Sequence, residues 1–223
     1  MLTSIKSCLR QLLIEPACTI CKRPCISGTE QPDLCPACRR SLGLEEALIK
    51  GQSPLPWRAA SWYSGSMRQL ILSLRRNHDI GCLQTICRSL QRGLPQNTLL
   101  VPIPGWKAKN RSNPLPTLIC RCLERQTLPL LQRCRPTVGQ HRLNREQRVN
   151  NQQGSFGLNQ DSSRWTSHTW TDLHRHQQVW LVDDIVTTGA TVLAAQQRLE
   201  ASGITVQGVV CLARTPGKHH PVI

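Results

Sequence analysis

The segment 179–191 restricts the fold more strongly than any other part of the chain. It begins with four apolar residues, continues with Asp183 and Asp184, and then passes through the run Thr-Thr-Gly-Ala-Thr at 187–191. The apolar run predicts a buried strand, and the small-residue run predicts a turn that enters a helix. Because a further apolar strand is predicted at 205–212, the whole forms a βαβ unit, which implies a parallel sheet. We therefore expect an α/β protein.

The residue types in this segment predict a site for a sugar phosphate. The two carboxylates would stand at the carboxyl end of a strand, where open α/β sheets bind ligands, and they can accept hydrogen bonds from vicinal hydroxyls. A turn at a helix N-terminus offers backbone N–H groups and the positive end of the helix dipole to a phosphate. The residues concerned are Thr187, Thr188, Gly189, Ala190 and Thr191. Acceptors beside phosphate donors favour a ribose 5-phosphate over a bare phosphate; the plainer alternative is an ordinary strand–turn–helix.

The rest of the chain continues the alternation of helices and strands. The predicted helices cover 67–74, 83–90, 115–123 and 191–201, and the predicted strands cover 98–101, 179–182 and 205–212. The polar stretches 132–155 and 159–177 predict long loops, which in compact domains are mostly functional or disordered. We divide the chain into a cysteine-containing module at 1–45, a linker at 46–61 and an α/β body at 62–223.

Cysteines near the start of the chain have the spacing of metal ligands. Cys18 and Cys21 form one CxxC pair, Cys35 and Cys38 form a second, and thirteen residues separate the pairs. Four thiolates satisfy a tetrahedral zinc ion and leave no open position. The spacing therefore predicts a small zinc-ribbon-like module whose zinc is structural. The alternatives are a redox pair or buried free cysteines, and Cys25 competes with Cys21 as a ligand.

The first residues predict a short amphipathic helix. Lys6 and Arg10 interrupt the apolar stripe along 2–14, whereas a signal peptide carries an uninterrupted apolar run. No stretch has the length and apolarity of a membrane span. We therefore expect a cytoplasmic protein whose cysteines are reduced or bound to metal.

The charge of the chain predicts a polyanionic partner. Lys and Arg total 28 against 13 Asp and Glu, which gives a formal net charge of +15. The only acidic residue between Glu46 and Glu124 is Asp79. Such an excess favours contact with nucleic acid or phosphorylated small molecules, although solubility alone is the plainer explanation. Aromatic residues make up 4% of the chain, which argues against an extensive base-stacking surface.

At 179–191 the chain resembles the type I phosphoribosyltransferases, whose signature is an apolar strand, two acidic residues and a Thr-Thr-Gly turn. Other segments resemble the ComF family of competence-associated proteins. These are the cysteine module, a pyrophosphate-type loop at 101–107, a basic loop from Arg133 through 154–156, and the closing strand Cys-Leu-Ala-Arg at 211–214. The resemblance covers nearly the whole chain.

The resemblance implies a type I phosphoribosyltransferase-like parallel sheet flanked by helices. Asp183 and Asp184 would bind ribose hydroxyls, directly or through Mg²⁺, and the turn 187–191 would hold the 5′-phosphate. The pyrophosphate loop would comprise Ile103, Pro104, Gly105, Trp106 and Lys107. The flexible loop would bring Arg133, Arg135, Arg145 and Arg148 over the ligand and exclude water. The implied chemistry displaces pyrophosphate at the anomeric carbon and depends on stabilising charge on the leaving group.

Three functions follow from these features. We favour a ComF-like protein that binds phosphoribosyl pyrophosphate, or a related ribose 5-phosphate ligand, and acts in DNA uptake during natural transformation. Its partners would include single-stranded DNA and proteins of the competence machinery. The second is a Mg²⁺-dependent phosphoribosyltransferase of nucleotide metabolism or salvage. The third is a regulatory nucleotide-binding protein without chemistry, and no residue is assigned a catalytic role.

Overall fold

A central sheet organises the part of the chain that the structure describes, which in this computed structural model comprises residues 17–24, 34–44, 48–105, 113–134, 154–159 and 177–217. The strands are β1 (Ile49–Gly51), β2 (Trp57–Trp62), β3 (Thr98–Pro102), β4 (Gln126–Thr127), β5 (Leu131–Arg133), β6 (Phe156–Leu158), β7 (Gln178–Val186) and β8 (Val206–Arg214). Six of them form one sheet in the order β1-β2-β8-β7-β3-β4. Only β1 is antiparallel to its neighbour in this sheet, while β5 and β6 form a separate antiparallel pair.

Helices cover both faces of the sheet. They are α1 (Pro36–Ser41), α2 (Gly65–Asn77), α3 (Ile80–Gly93), α4 (Leu115–Leu123) and α5 (Ala190–Glu200). The apolar spacing explains why α2 packs as it does, because Met67, Ile71 and Leu74 are its buried residues and lie on one face. Asp79 caps α3 by accepting a hydrogen bond from the Cys82 N–H at 3.0 Å.

The core consists of two layers separated by the sheet. One layer joins α2, α3 and α4 to side chains such as Val182, and it includes Cys18, Leu34 and Leu42 of the cysteine module. The other layer joins α5 and the β5–β6 pair to alternate side chains such as Leu181. This alternation follows from the two-residue period of a strand, because successive side chains point to opposite faces. The central strands are therefore buried on both sides, as parallel sheets require.

The α/β class and the mostly parallel sheet expected from the sequence are confirmed. The segment 46–61, for which the sequence predicts a linker, contains β1 and most of β2, because Trp57, Ala59 and Ala60 are buried against the sheet. The three-part division of the chain stays a prediction. The amphipathic helix at 2–14 and most of the two long loops lie outside the described residues. None of the described helices is long and apolar enough to traverse a lipid bilayer.

Candidate phosphoribosyl site and cysteine cluster

The carboxyl ends of β3 and β7 form a topological switch point. After β3 the chain passes through α4 to β4 on one side, whereas after β7 it passes through α5 to β8 on the other side. The helices α4 and α5 accordingly cover opposite faces of the sheet. Open α/β sheets bind ligands in the crevice at such a point. Directly after β3, the Ile103 N–H donates to the Val182 carbonyl at 2.9 Å, which joins the end of β3 to β7.

Asp184 is the more enclosed member of the acidic pair. Its side chain is only 3% exposed, and Arg75 of α2 binds it through two hydrogen bonds, from Nε at 2.7 Å and from Nη2 at 3.0 Å. Asn113 adds a third hydrogen bond, from Nδ2 to Oδ2 at 2.7 Å. Both carboxylate oxygens of Asp184 therefore already have protein donors. The pairing satisfies a buried charge that would otherwise be costly.

Asp183 has fewer protein donors than Asp184 among the described residues. It remains partly accessible, and its Oδ1 accepts a hydrogen bond from the Asp184 N–H at 2.8 Å. Burial of the carboxyl group raises the pKa of Asp183 well above its ordinary value, and the nearby Asp184 charge raises it further. A divalent cation or hydroxyl donors would stabilise the charged form. Because hard cations prefer oxygen ligands, this carboxylate fits Mg²⁺ as a single ligand.

The turn after β7 places backbone donors at the start of α5. Gly189 is the N-cap residue and has φ of 81°, a conformation that glycine adopts without strain. Among the described residues, the N–H groups of Thr188 and Gly189 have no hydrogen-bond partner. The Thr188 hydroxyl makes only a long contact of 3.4 Å with the Ala190 N–H. The side chains of the turn therefore do not satisfy these donors.

The pyrophosphate-type loop leaves the sheet at the end of β3, four residues before the end of β7. Ile103 is buried, whereas Pro104 and Gly105 are partly exposed. Arg133, at the end of β5, donates from Nε to the Pro104 carbonyl at 3.1 Å, and its Cζ lies 4.0 Å from the centroid of the Phe156 ring. The remaining predicted residues of the two loops, Trp106, Lys107, Arg135, Arg145 and Arg148, lie outside the described residues. The structure thus brings Arg133 to the loop for which the resemblance implies a pyrophosphate ligand.

The sequence carries no signal that identifies the two side-chain partners of Asp184. Arg75 is one of many residues in a basic stretch, and Asn113 lies in a segment without a predicted role. Arg75 is 109 residues away from Asp184 along the chain, so no local pattern reveals the pairing. The available signal is chemical, since a buried carboxylate needs a cation or several donors.

The four cysteines of the two CxxC pairs converge as their spacing predicts. The Sγ atoms of Cys18, Cys21, Cys35 and Cys38 all lie within 4.8 Å of one another, so they could hold a metal ion. A tetrahedral zinc ion with Zn–S bonds of about 2.3 Å has sulfur–sulfur separations of about 3.8 Å. The Sγ atoms of Cys21 and Cys35 are 3.8 Å apart. The donor set therefore fits zinc.

Backbone contacts shape each half of the cluster. In the first half, the Lys22 N–H donates to the Cys18 carbonyl at 2.9 Å, which closes a tight turn. In the second half, the Cys35 thiol accepts from the Cys38 N–H at 3.4 Å at the start of α1. Burial would raise the pKa of Cys18, but N–H groups of Cys21 and Cys35 outweigh it and lower the pKa to about 6. The cluster is joined to the body by the Ser61 hydroxyl, which donates to the Leu42 carbonyl at 2.6 Å.

Comparison with known proteins relates the chain to a bacterial protein named for its use of DNA. The chain is 28% identical to the "DNA utilization protein YhgH" of Salmonella typhi over 223 residues, a match that covers 89% of this chain and 90% of that protein. No family model matches the sequence.

Proposed function

We propose that this protein binds phosphoribosyl pyrophosphate, or a related ribose 5-phosphate ligand, at the carboxyl ends of β3 and β7, and acts in DNA utilization. The observation that carries the proposal is the arrangement at the end of β7. The half-buried Asp183 lies within β7, three residues before the strand ends, and the turn that follows carries backbone donors at Thr188 and Gly189 that have no partner among the described residues.

The two halves of this arrangement suit different parts of one ligand. Backbone N–H groups at a helix N-terminus bind a phosphate, and they attract it through the helix dipole. The carboxylate of Asp183 would repel a phosphate but accepts hydrogen bonds from ribose hydroxyls or binds Mg²⁺. We assign this contact mainly to Asp183, since Arg75 and Asn113 already occupy Asp184. A phosphoribosyl group carries both a phosphate and vicinal hydroxyls.

A second phosphate-binding segment is proposed in the loop after β3. The loop that begins at Ile103 leaves the sheet beside Val182, because Pro102 of β3 pairs with Val182 of β7. In the proposed complex it receives the pyrophosphate group, and Arg133 supports it by holding the Pro104 carbonyl. Loops at a switch point can grip both ends of such a ligand without a nucleophilic side chain.

Isothermal titration calorimetry with phosphoribosyl pyrophosphate, with and without Mg²⁺, tests this proposal. We expect binding that strengthens with Mg²⁺ and weakens in Asp183→Asn. Arg198→Ala on α5 is the control, because its side chain donates to Ser202, at the far end of the helix from the turn. Absence of heat with phosphoribosyl pyrophosphate, ribose 5-phosphate and pyrophosphate alike would refute the proposal. If the protein also releases pyrophosphate from phosphoribosyl pyrophosphate when nucleobases are added, it catalyses phosphoribosyl transfer.

Contact with single-stranded DNA is proposed on a separate observation. The outer face of α2 exposes Arg68 and Arg76, eight residues apart on one side of the helix. The nearest acidic residues along the chain that the structure describes are Asp79 and, beyond it, Glu124. The name of the Salmonella typhi protein agrees with a function that involves DNA. An electropositive helix face would bind the phosphates of the DNA backbone whatever the nucleotide sequence.

The salt dependence of DNA binding tests whether the outer face of α2 contacts DNA. Fluorescence anisotropy with a labelled oligonucleotide should show affinity that falls steeply with salt. The double variant Arg68→Ala/Arg76→Ala should reduce the slope of log K against log[salt] by about 0.7 for each phosphate that the protein no longer neutralises. Arg198→Ala changes charge on the opposite face of the sheet and should leave the slope unchanged. An equal slope in all three proteins would exclude α2 from DNA binding.

A further inference from the structure

The guanidinium of Arg214 supports the back of the phosphate turn. Arg214 is the last residue of β8, and its Nη1 donates both to the Val186 carbonyl at 3.0 Å and to the Thr187 carbonyl. Its Nη2 donates to the Ser53 carbonyl at 3.4 Å, and its Cζ lies 5.5 Å from the centroid of the Trp57 ring. One planar side chain therefore connects the turn after β7 with the segment before β2.

These carbonyl contacts also orient the N–H groups of the turn. In a trans peptide the C=O and N–H bonds point in opposite directions within one plane. The only cis peptide bond in the described residues is Ser53–Pro54, so the peptides after Val186 and after Thr187 are trans. Because both carbonyls point to Arg214, the N–H groups of Thr187 and Thr188 point away from it. Two consecutive N–H groups held on one side form the start of an anion-binding nest.

The segment held by Arg214 also fixes the next residue of the turn. A Cβ atom on Gly189 would lie 2.3 Å from Cγ of Pro54, so Pro54 closes that side of the turn. Ser53, whose carbonyl accepts from Arg214, directly precedes this proline. The same guanidinium thus restrains the turn and the residue that packs against it.

We infer that Arg214 is a positioning residue for phosphate recognition, which acts by orienting the N–H groups of the turn at 187–189 and makes no contact with the phosphate itself. The inference rests on the proposed function, because it concerns the same turn. A lysine cannot replace this arginine, since its single ammonium cannot bridge the turn and the Ser53 carbonyl as a planar fork does. Arg214 therefore contributes selectively to the phosphate half of the site.

The test compares ligands that use different halves of the site. Calorimetry with ribose 5-phosphate and with Mg²⁺–pyrophosphate is performed on the full chain, on Arg214→Lys, on Arg214→Ala and on the Arg198→Ala control. We expect ribose 5-phosphate affinity to fall about ten- to a hundredfold in both Arg214 variants, because hydrogen bonds to a charged group become misaligned or are no longer made. Pyrophosphate affinity should change less than about threefold, since the β3 loop keeps its own geometry.

Two results would overturn the positioning role. They are unchanged ribose 5-phosphate affinity in both Arg214 variants, and an equal loss of affinity for both ligands. If the unaltered chain binds neither ligand, the proposed function fails first and the inference fails with it. Should Arg214→Ala not fold, hydrogen–deuterium exchange of the segment 183–193 in Arg214→Lys replaces it. Faster exchange at the turn is then expected, and unchanged exchange contradicts the role.

Discussion

The ion pair between Arg75 and Asp184 provides the most direct test of how the site is held. Arg75→Ala removes two of the three side-chain hydrogen bonds to Asp184 and leaves the carboxylate with Asn113 alone. Asp184 is buried, so an unpaired charge remains in the interior. Removing one partner from a fully buried pair costs about 3–5 kcal/mol of unfolding free energy. The Arg75 side chain is 37% exposed, which lets water replace part of its interaction with the carboxylate. We therefore expect a loss of about 2–3 kcal/mol.

Urea unfolding followed by tryptophan fluorescence measures this loss. Arg76→Ala is the matched control, because Arg76 is the adjacent arginine of α2, is exposed, and forms no ion pair with either aspartate in the described part of the chain. Its effect should stay within about 0.5 kcal/mol. A double-mutant cycle with Asp184→Asn should give a coupling energy of about 1–2 kcal/mol. Equal effects of Arg75→Ala and Arg76→Ala, or strict additivity in the cycle, would refute the reasoning.

Three further predictions concern the carboxylate, the metal and the turn. Because the folded pKa of Asp183 is raised, the native state binds its proton more tightly than the unfolded chain, and stability falls as pH rises from 3.8 through the folded pKa. Asp183→Asn should therefore be more stable than the unaltered chain at pH 8 and lose this advantage on acidification, and thermal melts across pH that show no such convergence would contradict the sign. Cys35→Ser should abolish stoichiometric zinc in elemental analysis and lower the melting temperature, while Cys134→Ser, which changes an exposed thiol, should change neither. Gly189→Ala should reduce ribose 5-phosphate affinity at least about tenfold, because the added methyl meets Pro54 and φ is positive, and unchanged affinity would show that the turn is not the phosphate site.

The sequence is sufficient to predict the structure where one contiguous segment determines it. The strand β7 and the helix α5 follow from an apolar run, an acidic pair and small residues in immediate succession, and the cysteine spacing predicts the cluster of thiols. It is insufficient where the order of strands matters. The pairing of β2 with β8 joins residues such as Trp57 and Val209, which are distant along the chain. The short strand β1 carries no clear alternation, so the segment 46–61 resembles a linker.

Within the candidate site, the same distinction separates what can be predicted from what cannot. Asp183 and the turn at 187–191 are contiguous and carry recognisable chemistry. Arg75, Asn113 and Arg214 act through contacts that only the folded chain creates, across helices and strand ends. A basic composition contains many arginines, and composition alone gives no means of choosing among them. Their roles depend on which carbonyl or carboxylate each one reaches.

The hydrogen bond from Ile103 to Val182 marks the level along β7 at which the loop after β3 leaves the sheet. β3 ends at Pro102, which pairs with Val182, whereas β7 continues for four more residues to Val186. At about 3.3 Å per residue, the turn after β7 therefore begins roughly 13 Å farther along the sheet than the loop after β3. A molecule that contacts both loops must therefore extend along β7, and Asp183 lies between its two ends.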